Sequence, residues 1–182
     1  MNDVEKGLSN LFKKELDDVN SINDYAIEVG VISSDNKRKE TMKFSIKNDI
    51  NNAELMFIHE HGSPLHNLPS RPVLQMTIDY ASKNLLNKTI DRCFEGIMYN
   101  DWNKEDVKKE FEKMCIVMEN YARDLIYSND GRLTANAAFT IKKKGENHPL
   151  FDTGQLARSI TCRLIKRRLY SNKKINYNKH KI

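Results

Sequence analysis

The chain has 182 residues and a formal net charge of +5, with 39% hydrophobic and 30% charged residues. This length and composition predict a soluble globular protein, with one domain over residues 1–170 and a basic flexible tail over residues 171–182. No apolar run approaches the ~20 residues of a membrane-spanning helix, and the N-terminus lacks the apolar stretch of a signal peptide, so we expect neither a membrane partner nor secretion.

The charge is divided unevenly along the chain. Residues 131–182 contain 13 Lys and Arg against two acids, a net charge of +11. Residues 1–130 contain 17 Lys and Arg against 23 acids, a net charge of −6. The basic third predicts a surface that meets DNA, RNA or an acidic protein, and the alternative is a solvated basic arm.

The three cysteines, Cys93, Cys115 and Cys162, are far apart and form no CxxC pair. An odd number at such spacing indicates buried thiols in a reducing compartment. A disulfide framework or a zinc site would need closer pairs.

The N-terminal part predicts a helix, a hairpin and a short helix. Apolar residues from Val4 to Leu16 recur at helical spacing, which predicts a helix over residues 2–18. Alternating residues at 25–31 and 41–47 predict a β-hairpin with one solvated face. Asn51 or Asn52 is expected to cap a short helix that Gly62 ends.

The middle of the chain is predicted to be helical after a proline-rich loop over residues 63–72. A helix restarts at Pro72, with a stripe formed by Leu74, Ile78, Ala81 and Leu85. Residues 90–99 predict another helix, and residues 104–127 predict a long amphipathic one. Its expected core residues are Val107, Phe111, Met114, Met118, Ala122 and Leu125.

Residues 159–166 alternate again and predict a further strand, with Ile160, Cys162 and Leu164 on one face. The expected fold class is therefore α+β. A small antiparallel sheet of about three to four strands would be packed by several helices, including the long amphipathic one, with extended loops between them.

The triplet Asp152-Thr153-Gly154 matches the catalytic triplet of aspartic proteases. Such an enzyme needs two carboxylates that share a proton, and this chain has one such triplet. The structural alternative is a corner in which Asp152 and Thr153 cap a short helical turn that starts at Gln155.

His59, His61 and His66 lie within eight residues, beside Glu60. If the segment were extended, His59 and His61 would share a side and hold a metal ion. No complete metal signature such as HExxH is present, so histidines bonded to the backbone are the alternative. We therefore expect no metal and no cofactor.

A basic run follows the last predicted strand. Its members Arg163, Lys166, Arg167 and Arg168 are candidates for contact with a partner, either an acidic protein or nucleic acid phosphates. A charged edge that discourages strand pairing is the alternative.

Two blocks of the sequence resemble the neck and tail-completion proteins of long-tailed phages. Residues 58–74, "IHEHGSPLHNLPSRPVL", resemble a segment in which an IHE-aromatic-Gly run precedes Pro-x-Arg-Pro. Residues 140–160 resemble a second signature, T-x-x-x-K-G followed by P-L-x-D-T-G-x-L-x-x-S-I. This chain departs from the pattern with His61 in place of the aromatic residue and with a long helical stretch between the blocks. The matching positions are His59, Glu60, Gly62, Pro69, Arg71, Pro72, Lys144, Gly145, Pro149, Leu150, Asp152, Thr153, Gly154, Leu156, Ser159 and Ile160.

The resemblance implies a structural virion protein of the neck or the top of the tail, assembled in the host cytoplasm, with no enzymatic activity. It implies a ring of six or twelve copies between portal, adaptor or head-closure proteins and tail-terminator or tail-tube proteins. DNA would pass through the ring without sequence-specific binding. In this setting Arg71 is expected to be a charge partner of Asp152, inside the fold or across a subunit boundary.

Two other functions stay open from the residues alone. One is a hydrolase that uses Asp152 or the pair His59 and His61. The other is a nucleic-acid-binding protein that uses the basic C-terminal third.

Overall fold

A computed structural model of the protein describes residues 3–32 and 50–167. These residues form seven α-helices and two β-strands, with short 3-10 turns at Ser21–Asp24 and Pro64–His66. In chain order the elements are α1 (Asp3–Asn20), β1 (Tyr25–Val31), α2 (Asn52–His61), α3 (Val73–Asn84), α4 (Leu86–Tyr99), α5 (Lys104–Tyr127), α6 (Ala138–Lys144), α7 (Gln155–Ser159) and β2 (Ile160–Lys166).

The predicted α+β class is confirmed, with a smaller sheet than expected. In the described part of the chain β1 pairs with β2 in a two-stranded antiparallel sheet. The second strand of the predicted hairpin, residues 41–47, lies outside the described residues. All seven residues of β1 are half-buried. Val29 and Val31, on the face predicted to point inward, pack against the hydrophobic core.

The chain divides into two compact units, each discontinuous in sequence. Among the described residues, unit 1 contains 3–28, 86–114 and 163–167, and unit 2 contains 29–32, 50–85 and 115–162. A single domain over residues 1–170 stays a prediction, as does the flexible tail, which lies outside the described residues.

Most helices occur where periodicity predicts them, and α5 matches its predicted bounds. All six of its expected core residues are buried. Glu110, on the same helix, is also buried, at 4% exposure. Its carboxylate accepts hydrogen bonds from Arg92 Nη1 at 3.0 Å and Lys113 Nζ at 2.8 Å, so a charged residue is buried here because it is paired.

The predicted buried stripe of α3 is confirmed at Ala81 and is wrong at Ile78. The helix buries Val73, Thr77 and Ala81, whereas Ile78 is 44% exposed. Thr77 is tolerated inside because its hydroxyl donates to the Val73 carbonyl at 2.8 Å, which leaves no unsatisfied donor. Hydrophobicity alone favoured Ile78 and did not reveal this local bond.

Unit 1 contains α1, α4 and the first part of α5. Helix α1 packs against α4, and Trp102 covers Gly96 of α4. Leu8, Leu11 and Phe12 on α1 remain more than half exposed. Their helical spacing therefore marks an apolar face of α1 that the described residues leave open.

The core of unit 2 is built around the C-terminal half of α5. Its buried members come from α2, α3, α5, the segment after α5, α7 and the start of β2. They are Met56, Val73, Ala122, Leu125, Ile126, Leu133, Leu156, Ala157 and Ile160. The residues of both predicted motif blocks therefore share one core.

Cys93 and Cys115 are buried thiols, as predicted, whereas Cys162 is only half-buried. Burial and the electrostatic effect of Glu110 raise the pKa of Cys93 to about 11. None of the described helices is both long and apolar enough to cross a membrane.

Gly96 provides a test of the packing in unit 1. A Cβ at this position would overlap the Trp102 ring, so Gly96→Ala should lower the free energy of unfolding by about 1–3 kcal/mol. Gly7→Ala is the matched control, because no atom lies within 4 Å of the added carbon and alanine favours a helix by about 0.5–1 kcal/mol. Urea unfolding followed by circular dichroism measures both. Equal effects of the two substitutions would contradict the packing.

Candidate functional site

The two motif blocks, about 70 residues apart in sequence, meet in unit 2. Helix α2 packs against α7, and a cavity of about 190 Å³ lies where the blocks approach each other. The first block lines it with His59 and Arg71. The second block lines it with Lys144 and residues 150–156, and Leu55 and Asn136 complete the wall.

Glu60 caps helix α3. The residue that precedes this helix, Pro72, provides no side-chain hydrogen bond to its first turn. Glu60 does so from α2, because its carboxylate accepts from the amides of Leu74 at 3.0 Å and Gln75 at 2.8 Å. These N–H groups have no partner within the helix, and the helix dipole favours a negative charge beside them.

Gly62 allows the chain to turn back after α2. Its φ of 71° is in the left-handed region, and a Cβ would lie 2.7 Å from the Leu68 carbonyl oxygen and the Ser70 nitrogen. Ser63 and Leu68 then form an isolated antiparallel bridge, and Pro69 follows directly after it. The predicted ends of α2 are confirmed, with Asn51 as a capping box at one end and Gly62 at the other.

Arg71 is a buried cation that holds a distant segment of the chain. It is 3% exposed. Its Nε donates to the Thr134 carbonyl at 2.7 Å, and its Nη2 donates to the Ala135 carbonyl at 2.9 Å and to Asn136 Oδ1 at 3.4 Å. Burial lowers the pKa of the guanidinium, and these acceptors compensate for the water it has lost.

The predicted ion pair between Arg71 and Asp152 does not form within the described part of the chain, and a pair across a subunit boundary stays a prediction. Both residues line the cavity, but the hydrogen bonds of the guanidinium go to residues 134–136. Backbone carbonyls replace the expected carboxylate because the segment after α5 passes directly beside Arg71.

Lys144 closes the turn between α6 and α7. Gly145, at φ 84°, ends α6, and Lys144 Nζ donates to the carbonyls of His148, at 2.9 Å, and Phe151. Pro149 is buried in this turn, and Leu150 adopts a φ of 59°. That left-handed conformation costs a non-glycine residue about 1–2 kcal/mol, so the bonds from Lys144 help to maintain it.

The Asp152-Thr153-Gly154 triplet forms a corner, but its side chains do not cap α7. The capping position is Gly154, at φ 72°, and no side chain caps the helix. Asp152 is exposed, and the Thr153 carbonyl accepts from Arg158 Nη2 at 2.8 Å. The predicted cap is wrong because the helix starts two residues later than a cap by Asp152 requires.

The residues after the triplet anchor it to the core. Leu156 and Ser159 are each 4% exposed, and the Ser159 hydroxyl donates to the Leu156 carbonyl at 2.7 Å. A close contact fixes the corner on its other side, since a Cβ on Gly154 would lie 3.2 Å from Tyr127 Oη.

The histidines do not converge. His59 and His61 lie on α2, where residues two apart point in different directions, and His61 Nδ1 is 3.0 Å from the Phe57 carbonyl oxygen. Over residues 3–32 and 50–167, no group of three or more His, Cys, Asp or Glu side chains is placed to hold a metal ion. The shared metal site would need an extended segment, and the segment is helical.

The basic run after β2 is only partly available to a partner. Arg163 binds Glu28 of β1, with Nε 2.8 Å and Nη2 2.7 Å from the same carboxylate oxygen. Lys166 and Arg167 are exposed, and Arg168 lies outside the described residues. An exposed pair such as Arg163 and Glu28 contributes about 0–1 kcal/mol to the free energy of unfolding. The pair therefore occupies the charge of Arg163 but adds little stability.

Sequence reasoning missed two contributors to the site. Asn136 lies in a polar stretch with no motif, and its position beside Arg71 depends on a contact between residues 65 positions apart. Helix α6 was also missed, although the lysines of its last turn and Gly145 are typical of a helix end.

Comparisons with protein families, curated proteins and solved structures found no match to this chain.

The capping role of Glu60 can be tested by Glu60→Gln. The amide retains one acceptor but places an NH₂ group against a helix N–H, so we expect a loss of about 1 kcal/mol in the free energy of unfolding. Glu146→Gln is the matched control on an exposed residue of the same unit, and should change stability by less than about 0.5 kcal/mol. Chemical denaturation measures both, and no difference between them would refute the capping role.

Arg71 and Asp152 are expected to differ sharply in their importance for folding. Arg71→Met leaves the Thr134 and Ala135 carbonyls without their donors and should cost about 2–4 kcal/mol. Asp152→Asn removes no hydrogen bond and should cost less than about 0.5 kcal/mol. Thermal unfolding of the two variants beside the wild type provides the comparison. A loss of 1 kcal/mol or more for Asp152→Asn, about the value of a lost cap, would show that Asp152 does cap α7.

Proposed function

We propose that this protein is a structural component of a tailed phage or prophage that acts at the head–tail junction. In this proposal it forms a ring of six or twelve copies in the neck or at the top of the tail. Its neighbours are portal, adaptor or head-closure proteins on one side and tail-terminator or tail-tube proteins on the other. DNA passes through the ring and is not recognised by sequence.

One observation carries the proposal. The two blocks that resemble neck and tail-completion proteins come together in one unit, and their charged residues bind backbone groups. Glu60 binds two amides of α3, Arg71 binds two carbonyls after α5, and Lys144 binds two carbonyls before α7. Charged side chains used in this way support a fold that serves assembly, because each of them joins separate segments of the backbone.

The open face of α1 agrees with an assembly role. Leu8, Leu11, Phe12 and Leu16 follow helical spacing, and their exposed fractions are 51–63%. Contiguous exposed apolar surface is typical of proteins that work in contact with other proteins.

The surroundings of Asp152 offer less support for a hydrolase. Aspartic proteases use two carboxylates that share a proton in a common site. Asp152 is exposed, and it is the only acidic residue among those that line the cavity.

Deletion of the gene from the parent phage or prophage tests the proposal. Particles lacking the protein should accumulate as separate heads and tails in negative-stain images, because the joining ring is missing. Complementation with the wild type should restore joined particles, and cryo-EM should then show the protein as a ring at the neck or the top of the tail.

Complementation with Asp152→Asn separates the structural role from a catalytic one. We expect this variant to restore joining as the wild type does, since Asp152 forms no hydrogen bond that the fold needs. Failure to join particles by a stably folded Asp152→Asn protein would favour the hydrolase. Density for the protein only away from the neck and the top of the tail would refute the proposal.

A further inference from the structure

The cavity between the two motif blocks contains hydrogen-bond donors that the protein does not use. Arginine has five N–H donors, and the bonds of Arg71 engage Nε and Nη2 only. In the described part of the chain no acceptor lies at Nη1. Lysine has three donors, and Lys144 uses two of them.

Asn136 adds a further donor on the same wall. Its Nδ2 is buried and has no acceptor among the described residues, which costs about 1–3 kcal/mol for a group removed from water. The terminal amide rotates easily about its last side-chain bond. A ligand in the cavity that brings an acceptor would therefore remove an existing penalty.

The charges on the wall favour a small anion. Arg71 and Lys144 are cationic, and Asp152 is the only acid among the lining residues, so these three groups leave one net positive charge. Because Arg71 is almost completely buried, its charge is weakly screened by solvent. The planar guanidinium matches the two oxygens of a carboxylate.

The size of the cavity limits the ligand. Its volume of about 190 Å³ lies below the roughly 300–1,000 Å³ of sites that hold drug-sized ligands or cofactors. It is suited to a single side chain or a small acid. A carboxylate carries one negative charge, which balances the one net positive charge that Arg71, Lys144 and Asp152 leave on the wall.

We propose that this cavity binds a single carboxylate group, held by Arg71, Lys144 and Asn136. The carboxylate would come either from an acidic side chain of a second copy of this chain or from a free carboxylic acid. Carboxylate binding here does not depend on the virion role, because it follows from the unused donors alone.

Titration of the full-length protein with N-acetylglutamate α-amide, which presents a protein-like glutamate side chain, tests this site. The readout is the NMR signal of Arg71 Nε–Hε together with the amide signal of Gly154. We expect saturable shifts of both signals, with a Kd of about 1–10 mM for so small a probe. The matched neutral probe, N-acetylglutamine α-amide, should leave both signals in place.

Two variants alter the site while keeping the fold. Asp152→Asn removes the repelling acid and should lower the Kd about threefold, whereas Glu146→Gln, an exposed residue that does not line the cavity, should leave it unchanged. Asn136→Asp places a carboxylate beside Arg71 within the chain. This internal competitor should raise the Kd about tenfold or more while the melting temperature stays equal to or above that of the wild type.

Sedimentation equilibrium with and without the probe distinguishes the two sources of the carboxylate. Self-association that the capped glutamate suppresses identifies the second copy as the source. Binding of the probe to a chain that stays monomeric identifies a free acid.

Three results would overturn the site. The first is the absence of saturable shifts up to about 50 mM probe, a concentration that exceeds the expected Kd several-fold. The second is equal shifts with the glutamine probe. The third is unchanged binding of the glutamate probe to folded Asn136→Asp.

Discussion

The buried guanidinium of Arg71 is the interaction on which the structure of unit 2 depends. A cation at 3% exposure is stable only if acceptors replace its lost water, and those acceptors are the carbonyls of Thr134 and Ala135. This requirement brings the segment after α5 to the loop before α3. Thr134 adds another bond between the same two segments, because its hydroxyl donates to the Ser70 carbonyl at 3.3 Å. The wall of the cavity follows from these bonds.

Glu60 and Lys144 also use an ionised side chain to satisfy backbone groups, Glu60 at the start of α3 and Lys144 in the turn before α7. A helix start has amides without partners, and a tight turn has carbonyls without partners. An ionised side chain satisfies two such groups at once, and charge-assisted bonds are stronger than neutral ones. Residues that resemble a functional signature in the sequence therefore stabilise backbone junctions in the fold. Arg71 and Lys144 retain unused donors, which gives the cavity its preference for an anion.

Three arginines in the described part of the basic C-terminal third are already engaged within the chain. Arg132 binds Asp124 and Asp130, and its hydrogen bonds to Asp130 lower the pKa of that carboxyl to about 2. Arg158 binds the Thr153 carbonyl, and Arg163 binds Glu28. These arginines are engaged within their own units. Lys166 and Arg167, by contrast, are exposed.

The sequence by itself determined the α+β class, the bounds of α5 and the capping of α2, because these depend on periodicity and on contacts within a few residues. Its resemblance to a phage protein family also identified the two motif blocks as a pair. The tertiary structure alone decided that Arg71 binds carbonyls rather than Asp152, that Glu60 caps α3, and that α3 buries Thr77 rather than Ile78. It also decided which donors stay unused around the cavity. The partners of Arg71 and Glu60, and the unused donors, depend on groups that are distant in sequence. The burial of Thr77 depends on a hydrogen bond that a pattern of hydrophobic residues does not reveal. Neither kind of information is present in a local pattern.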